Sequence, residues 1–502
     1  MKAIYWLKRD FRLLDNQALR AGLDQVDHLS IIYMVEPSML EAPETSEFHI
    51  HAITGAYNDM RSKVTTAGGK MGWMHTETVA GFARLFEQQP FDALYSHEEI
   101  GVDRTYKRDI AVAQWCRENG VKWYEYRQTG VFRWLSDRDK RARLWREHYS
   151  EEIIAAPDAE ELKRLGIPDS YSEVRTDKLV IDFADRVTSE HERRLQAVSE
   201  SSAVQTLQSF LHERGIAYRG GISSPVTALT AGSRMSVHLA WGSMSGRVVY
   251  QRTQERRAEL KDDDDPMAKR WRSSLTAFTA RLHWRDHFIQ RLETEPQMEY
   301  EPLNSAYSEI VYDAPEEHVT AWYEGRTGFP MVDACVRCLR ATGFINFRMR
   351  ALLTSTACHV LHIDWKRLDP LMARLYTDYE PGIHLSQLQM QAAVVGINTI
   401  RVYSPHKQII DQDPDATFIH EWIPELQEYS PIEIQAHRMD DLGLYPGQVV
   451  DYVSASKAMK SQLYSVKGRK VTKEIAQKVY LKHGSRKAPS SKRRKSTASK
   501  SK

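Results

Sequence analysis

Short apolar runs alternate with longer amphipathic stretches through the first quarter of the chain. The runs KAIYWL, LSIIYMV, KMGWMH, FDALYSHE and VKWYEYR have the composition of buried strands. Between them lie segments such as NQALRAGLDQ and TYKRDIAVAQWCRENG, which have helical periodicity. Strands and helices that alternate through short turns predict a parallel α/β sheet over residues 1–130. No GxGxxG or P-loop sequence follows the first strand, so the usual phosphate fingerprints of such sheets are missing.

The pattern changes after residue 130. Residues 131–205 are rich in charged and turn residues and predict a long connector with helical pieces such as AEELKRLG and SEHERRLQAVSE. Residues 206–482 predict helices, including one continuous helical run over SVHLAWGSMSGRVVYQRTQERRAELK and another over LTAFTARLHWRDHFIQRLET. The acidic KDDDDP at 261–266 predicts a solvated loop before a helix. The expected fold is therefore a Rossmann-like parallel-sheet domain, a long connector and a C-terminal all-α domain.

Composition sets the class of protein. A chain of 502 residues can form two or three domains, and its 12 Trp and 23 Tyr supply many large buried contacts. No run of eighteen apolar residues is present, and the N-terminal MKAIYWLKRDFRLLDN lacks the apolar core of a secretion signal. Four cysteines fit a reducing compartment without disulfides. We expect a cytoplasmic protein, with no membrane association, that acts as a monomer.

The net charge is +2, but positive charge is concentrated at the C-terminal end, where residues 482–502 contain nine Lys or Arg and no acid. Residues 483–502 are therefore expected to form a disordered basic tail. Such a tail attracts nucleic-acid phosphates without sequence preference, but it can equally be a solubilising end.

The cysteines predict no metal site. Cys335 and Cys338 form a single CxxC inside an amphipathic helix, where free cysteines usually pack as small apolar residues. No cysteine follows Cys358, which excludes a four-cysteine cluster near the C-terminus.

Two short motifs suggest charged chemistry. TAGSRMS at 230–236 places small and hydroxylic residues before an apolar helix, which predicts an N-terminal cap and suits an anion. In FINFRMRALL, Arg348 and Arg350 are two residues apart and cannot share a helix face, so at least one must point inward. A buried arginine needs a carboxylate, and Asp378 is the natural partner. A plain cap explains the first motif better when that motif stands alone, and a structural ion pair explains the second motif equally well.

The motifs SRMS, LHWRDHFIQRL, TGFPMVDACVRCLRATG, FRMR, IDW, DYE and PHKQIIDQDPDATFIHEWIPEL, in this order, resemble the photolyase/cryptochrome family, in a bacterial branch. The resemblance extends to about residue 425. It implies an N-terminal antenna domain, a connector and a helical domain that binds FAD.

The resemblance implies specific contacts to FAD. The FAD phosphates would lie near Tyr218 and in the turn formed by Gly232, Ser233, Arg234, Met235 and Ser236. Arg350 and Asp378 would flank the flavin, where a positive charge stabilises negative charge on the ring. Glu380 matches an expected acid, and either His384 or Gln387 would face flavin N5. The other implied FAD contacts are Phe278, Arg281, Arg285, Phe344, Phe347 and Ile383.

The resemblance also implies a substrate pocket. Trp284 matches the aromatic residue on which family members that repair cyclobutane dimers stack the flipped pyrimidines. Arg281 occupies the position at which those enzymes carry Glu. Phe347 and Arg348 occupy the positions of an Asn–Arg pair, so Arg348 is retained, and Met390 occupies the position of a second Trp. The histidine pair of enzymes acting on (6-4) lesions would fall at Phe347 and Ala351, which disfavours that substrate. Trp284, Arg348, Trp365 and His384 are the candidate catalytic residues.

The positions of the electron relay and of the antenna chromophore match the family less well. Trp365 matches the middle of the family's tryptophan chain, but Leu388 and Tyr312 occupy the other two positions, so Tyr376 or Tyr379 can substitute. A second chromophore of the folate or deazaflavin type would lie in the α/β domain, with Glu98 and Glu99 as candidates; a solvated loop and helix cap explain these two better. The glutamines at 387, 389 and 391 are expected to line the flavin cavity.

These observations predict a light-driven DNA photolyase that binds FAD and UV-damaged DNA and repairs cyclobutane pyrimidine dimers. A cryptochrome-type blue-light receptor without repair is the alternative.

Overall fold

The computed structural model describes residues 1–183, 194–437, 439 and 443–484. The basic tail from residue 485 and the first five residues of the predicted helix SEHERRLQAVSE lie outside the described residues. Residues 194–198, at the end of that stretch, are not helical.

A five-stranded parallel sheet forms the N-terminal domain, with strand order β3-β2-β1-β4-β5. All five predicted strands form: β1 (Ala3–Leu7), β2 (Leu29–Val35), β3 (Met71–His75), β4 (Ala93–His97) and β5 (Lys122–Tyr126). The helices of this domain are α1 (Gln17–Gln25), α2 (Pro37–Leu40), α3 (Glu47–Thr66), α4 (Thr78–Gln88) and α5 (Asp103–Glu118). In β1, Tyr5 and Leu7 enter one apolar core while Ile4 and Trp6 enter another, so helices cover both faces. The predicted Rossmann-like sheet is confirmed.

The described residues after β5 are mainly helical, as predicted for residues 206–482. The connecting segment carries α6 (Arg141–Ser150) and α7 (Ala159–Lys163). The helices that follow are α8 (Glu200–His212), α9 (Tyr218–Gly221), α10 (Pro225–Ala231), α11 (Ser236–Ala240), α12 (Gly246–Glu259), α13 (Pro266–Thr294), α14 (Glu316–Glu324), α15 (Pro330–Thr342), α16 (Phe347–His359), α17 (Trp365–Ala373), α18 (Pro381–Gln391), α19 (Pro405–Gln412), α20 (Thr417–Trp422), α21 (Pro431–Gln435), α22 (Tyr452–Gly468) and α23 (Lys470–His483). The division at residues 130, 205 and 482 stays a prediction.

The continuous helix predicted across residues 236–261 is wrong, because the chain turns between α11 and α12. Gly242 has φ +68°, and a Cβ atom there would lie 2.0 Å from the backbone oxygen of Arg9. Glycine therefore permits both the left-handed turn and its close approach to the N-terminal domain. The acidic loop before α13 does form, and Asp265 caps that helix.

The largest apolar core lies in the helical domain and includes Cys335, Cys338 and Cys358. All four cysteines are buried and free, and no group of potential metal ligands occurs among the described residues. Cys335 and Cys338 pack in the apolar core, as predicted for a CxxC inside an amphipathic helix. Within the described ranges, no helix has the length and apolarity needed to cross a membrane.

Candidate functional site

A bidentate ion pair joins α16 to the segment before α18. Arg350 Nη2 donates to both oxygens of Asp378, at 3.0 and 2.9 Å. Burial opposes the charge of Asp378, but Arg350 and the Ser236 hydroxyl hold its pKa below the ordinary value. The ion pair predicted from the arginine spacing is confirmed.

Two arginines converge on the ring of Phe344. Arg234 Cζ lies 3.7 Å from the Phe344 ring centre, and Arg350 Cζ lies 5.8 Å from it and 4.2 Å from that of Tyr376. Arg234 has φ +60°, and its Nη1 is buried without a hydrogen-bond partner. Burial lowers the pKa of Arg234 to about 10, although Asp378 acts in the opposite direction. This wall therefore suits an anionic ligand.

The turn at 230–236 is not the side-chain cap predicted from its sequence. Met235 occupies the N-cap position of α11 and makes no capping bond, while the Ser236 hydroxyl bonds Asp378 instead. Arg214 donates to the carbonyl oxygens of Gly232 and Ser233, the latter at 2.8 Å. The turn is held by a cation on its carbonyl side.

Aromatic residues form a second wall. Tyr218 and Phe278 are buried with their ring centres 5.7 Å apart. Burial raises the pKa of Tyr218 to about 12, and the side chain of Arg281 bonds to its hydroxyl. Phe278 and Arg281 both belong to α13, so one helix supplies apolar surface and a cation.

Arg285 and Glu380 close the side toward the N-terminal domain. Arg285 donates to Asp286 Oδ1 at 2.8 Å, to the backbone oxygen of Leu239 at 2.9 Å and to Glu380 Oε2 at 3.3 Å. Burial raises the pKa of Glu380, against the opposing charges of Arg9 and Arg285.

Asp286 is a positioning residue that sequence reasoning missed. Its Oδ2 accepts from Gly130 N at 3.0 Å, Trp145 Nε1 at 2.9 Å and the Tyr149 hydroxyl at 2.7 Å. These donors lie more than 130 residues away along the chain. No local sequence signal identifies this junction, which ties the connector to α13.

His384 and Gln387 differ in their contacts. His384 Nε2 lies 2.8 Å from Asp369 Oδ1, and its ring centre is 5.4 Å from that of Tyr379. Gln387 Oε1 is buried and has no hydrogen-bond partner. Of the two residues, Gln387 is the one with a buried acceptor atom that has no partner. That His384 or Gln387 faces the flavin stays a prediction.

Gln389 does not line a cavity, contrary to expectation. It is fully buried, donates to the backbone oxygens of Met298 and Glu301 at 2.8 and 2.9 Å, and accepts from Leu303 N at 2.8 Å. Gln389 therefore fixes the loop that follows α13 and is a structural residue.

The candidate substrate residues are more accessible. Trp284 is 40% exposed and Phe347 is 51% exposed. Arg348 and Met390 are half-buried, and Arg348 Nε has no partner. Ile383 is half-buried as well.

The candidate electron-relay residues are buried, except Tyr312, which is half-buried. Trp365 and Leu388 lie in the main core, and the hydroxyl of half-buried Tyr312 has no partner. Of the substitutes, Tyr376 contacts Arg350, and the Tyr379 ring lies 5.5 Å from that of His49.

A cleft opens between the two domains, at the carboxyl ends of β1 and β2. Its walls include Trp6, Arg9, Glu99, Arg108 and Tyr379. Glu99 pairs with Arg108 at 2.7 Å, so the explanation of Glu99 as a solvated loop residue is wrong. Burial raises the pKa of its neighbour Glu98.

The residues around Arg350 fit FAD, which combines phosphates with an aromatic ring system. The buried Nη1 of Arg234 offers an unused donor for an anion, and the aromatic rings of Phe344 and Tyr376 lie beside Arg234 and Arg350.

Comparison with known proteins agrees with this fit. Residues 278–465 match the family model "FAD binding domain of DNA photolyase" and residues 3–140 match "DNA photolyase". The chain is 24% identical over 448 residues to a deoxyribodipyrimidine photo-lyase from Alkalihalophilus pseudofirmus, covering 85% of this chain and 88% of that protein.

Solved structures share the fold. An archaeal photolyase from Sulfolobus tokodaii, with two FAD molecules, superposes with TM-score 0.73 at 23% identity, covering 93% of this chain and 100% of that one. A Synechocystis cryptochrome superposes with TM-score 0.79 at 19% identity, covering 92% and 98%. This chain belongs to the photolyase/cryptochrome family and has its FAD-binding domain.

Proposed function

We propose that this protein is a light-driven, FAD-dependent DNA photolyase that splits cyclobutane pyrimidine dimers in UV-damaged DNA, as a monomer in the cytoplasm. The observation that carries the proposal is the 40% exposure of Trp284 on α13, the helix that also supplies Phe278, Arg281 and Arg285 to the site. A large exposed aromatic side chain, on a helix that also carries arginines, suits a base that has left the duplex.

Each group has a role in this mechanism. Arg234 and the turn around it hold the FAD phosphates, while Arg350, oriented by Asp378, stabilises negative charge on the flavin ring. FAD supplies reversible one-electron donation under blue light, which leaves no net oxidation. Trp284 stacks on the flipped dinucleotide, and Arg281 and Arg348 bind the adjoining phosphates. The buried walls exclude water from the site.

Repair of a dimer-containing oligonucleotide under blue light tests the proposal. Wild type should restore the intact strand in the light and not in the dark. Trp284→Ala should weaken binding of the damaged strand by about 1–3 kcal/mol, whereas Trp284→Phe should retain most of the affinity because it keeps a stacking face. Absence of repair by the reduced, FAD-loaded protein would refute the photolyase assignment.

A cryptochrome-type receptor is the second candidate. Arg281 and Met390 replace residues that contact the dimer in repair enzymes, and this favours it. In that case blue light should change the protease sensitivity of the protein while no repair occurs. Repair without such a change excludes the receptor.

We also propose that the cleft between the domains holds a second chromophore. Trp6 at its wall is contacted by Lys8 at 4.3 Å and Arg108 at 4.8 Å, so the cleft combines aromatic and cationic surface. The two FAD molecules of the Sulfolobus tokodaii photolyase support a second site in this fold. Mass spectrometry of the molecules released on denaturation should find FAD together with a folate, a deazaflavin or a second flavin; FAD at one per chain alone would refute this site.

A further inference from the structure

Arg291, near the C-terminal end of α13, is a buried cation that lacks an acidic partner among the described residues. It is 4% exposed, and its Nε and Nη1 atoms are buried without hydrogen-bond partners. Burial lowers the pKa of Arg291 to about 10, with the positive charge of Arg138 acting in the same direction. Arg247, which is also buried, differs because it pairs with Asp15 at 3.2 Å.

The surroundings of Arg291 are positive. Arg138 Nη2 donates to His287 Nδ1 at 2.9 Å. Burial lowers the pKa of His287 to about 2, and Arg291, Arg138, Arg141 and His483 all act in the same direction. His287 is therefore neutral, and the cluster consists of two cations, Arg138 and Arg291, with His287 beside them.

Nearby acids have other partners. Glu295 accepts from Lys482 and contacts His483 at 3.4 Å. Glu293 accepts from the backbone nitrogen of Trp134 at 2.9 Å and from the Gln290 side chain. Neither bonds the Arg291 guanidinium.

A buried charge without a counterion is costly, and proteins normally pair it or bind an ion there. The guanidinium is a planar fork of donors, which matches the oxygens of a phosphate. Arg138 is only half-buried, so the cluster borders solvent.

The cluster is continuous with the candidate substrate surface. Trp284, Phe288 and Arg291 are spaced by four and three residues, so they share one face of α13. The Trp284 and Phe288 ring centres are 5.6 Å apart, and Arg291 Cζ lies 5.4 Å from the Phe288 ring. Seven residues of helix span about 10 Å. That length corresponds to roughly three phosphates of one DNA strand at about 3.4 Å each along the duplex axis.

We propose that Arg138, His287 and Arg291 form a phosphate-binding site that takes a backbone phosphate of DNA, about three nucleotides from the base on Trp284. This inference rests on the proposed function insofar as DNA is the substrate.

Thermal unfolding with inorganic phosphate tests the site itself. Phosphate should raise the Tm of wild type above that in sodium chloride of equal ionic strength, and Arg291→Gln should abolish the rise. In chloride alone, Arg291→Gln should unfold at a higher temperature than wild type, because it removes an uncompensated charge. Arg270→Gln, which changes an exposed arginine of the same helix, is the control and should keep the wild-type rise. An equal phosphate effect in Arg291→Gln and wild type would overturn the proposal.

Binding of undamaged duplex DNA, followed by fluorescence anisotropy in the dark across salt concentrations, identifies the source of the phosphate. Arg291→Gln should reduce the slope of log K against log salt by about 0.9, as expected for one lost phosphate contact, and Arg270→Gln should not. If the phosphate effect on Tm is lost but the DNA slope is unchanged, the site takes free anions and its assignment to DNA is wrong. Since neither assay uses light or a dimer, absence of repair would refute the proposed activity without changing these outcomes.

Discussion

Asp286 offers a sharp test of how the site is held together. It is fully buried and accepts four hydrogen bonds, three from the connector side and one from Arg285. Asp286→Asn keeps the shape of the side chain and removes its charge. The amide can turn its oxygen toward Gly130, Trp145 and Tyr149, and its NH2 group must then face the Arg285 guanidinium.

The cost follows from these contacts. Loss of a hydrogen bond between charged groups costs about 1.5–3 kcal/mol, and an unsatisfied buried donor adds about 1–3 kcal/mol. Arg285 retains Glu380 at 3.3 Å, which favours the lower part of this range. We therefore expect the free energy of unfolding to fall by about 3 kcal/mol. At roughly 2 °C per kcal/mol for a domain of this size, Tm should fall by about 6 °C.

Thermal unfolding followed by circular dichroism at neutral pH measures this change. Asp262→Asn is the matched control. It changes the charge by the same amount, but Asp262 is exposed in the acidic loop before α13. We expect the control to stay within about 0.5 kcal/mol of wild type. If Asp286→Asn lowers the free energy of unfolding by less than about 1 kcal/mol, the charge of Asp286 does not stabilise the junction and the reasoning is wrong.

Three further outcomes follow from the buried charges and thiols. Arg350→Met should destabilise the protein by about 3–5 kcal/mol by leaving Asp378 unpaired, whereas Arg350→Met with Asp378→Leu should recover stability without recovering flavin content, measured by absorbance. A thiol reagent at pH 8 should modify none of the four cysteines in the native protein and all four after denaturation, because they are buried. His49 accepts from Ser46 N and bonds the Tyr376 carbonyl, and burial lowers its pKa to about 3. The unfolded chain thus takes up a proton below about pH 6.5 that the folded protein does not, so stability falls as the pH decreases. His49→Gln should reduce the stability lost between pH 7 and pH 5 by about 2 kcal/mol, and an unchanged loss would contradict the neutral His49.

Local patterns in the sequence were sufficient for the fold and for part of the site. Strand and helix periodicity depends on which side chains face the core, so the five strands and the helix containing Cys335 and Cys338 were predictable. The two-residue spacing of Arg348 and Arg350 placed at least one arginine inside, where a carboxylate was needed, and Asp378 is that partner.

Contacts between distant segments required the tertiary structure. The helix predicted across Gly242 is broken because Arg9, from the other domain, lies against that turn. Asp286 accepts hydrogen bonds from residues of the connector, and Gln389 bonds the loop after α13. Arg291 has no acidic partner among the described residues and lies near other positive charges. Hydrophobic periodicity is a property of neighbouring residues, whereas hydrogen bonds and charge pairing depend on which segments packing brings together. The sequence therefore determined the elements and the family, and only the folded chain decided which polar groups are satisfied and which are left for a ligand.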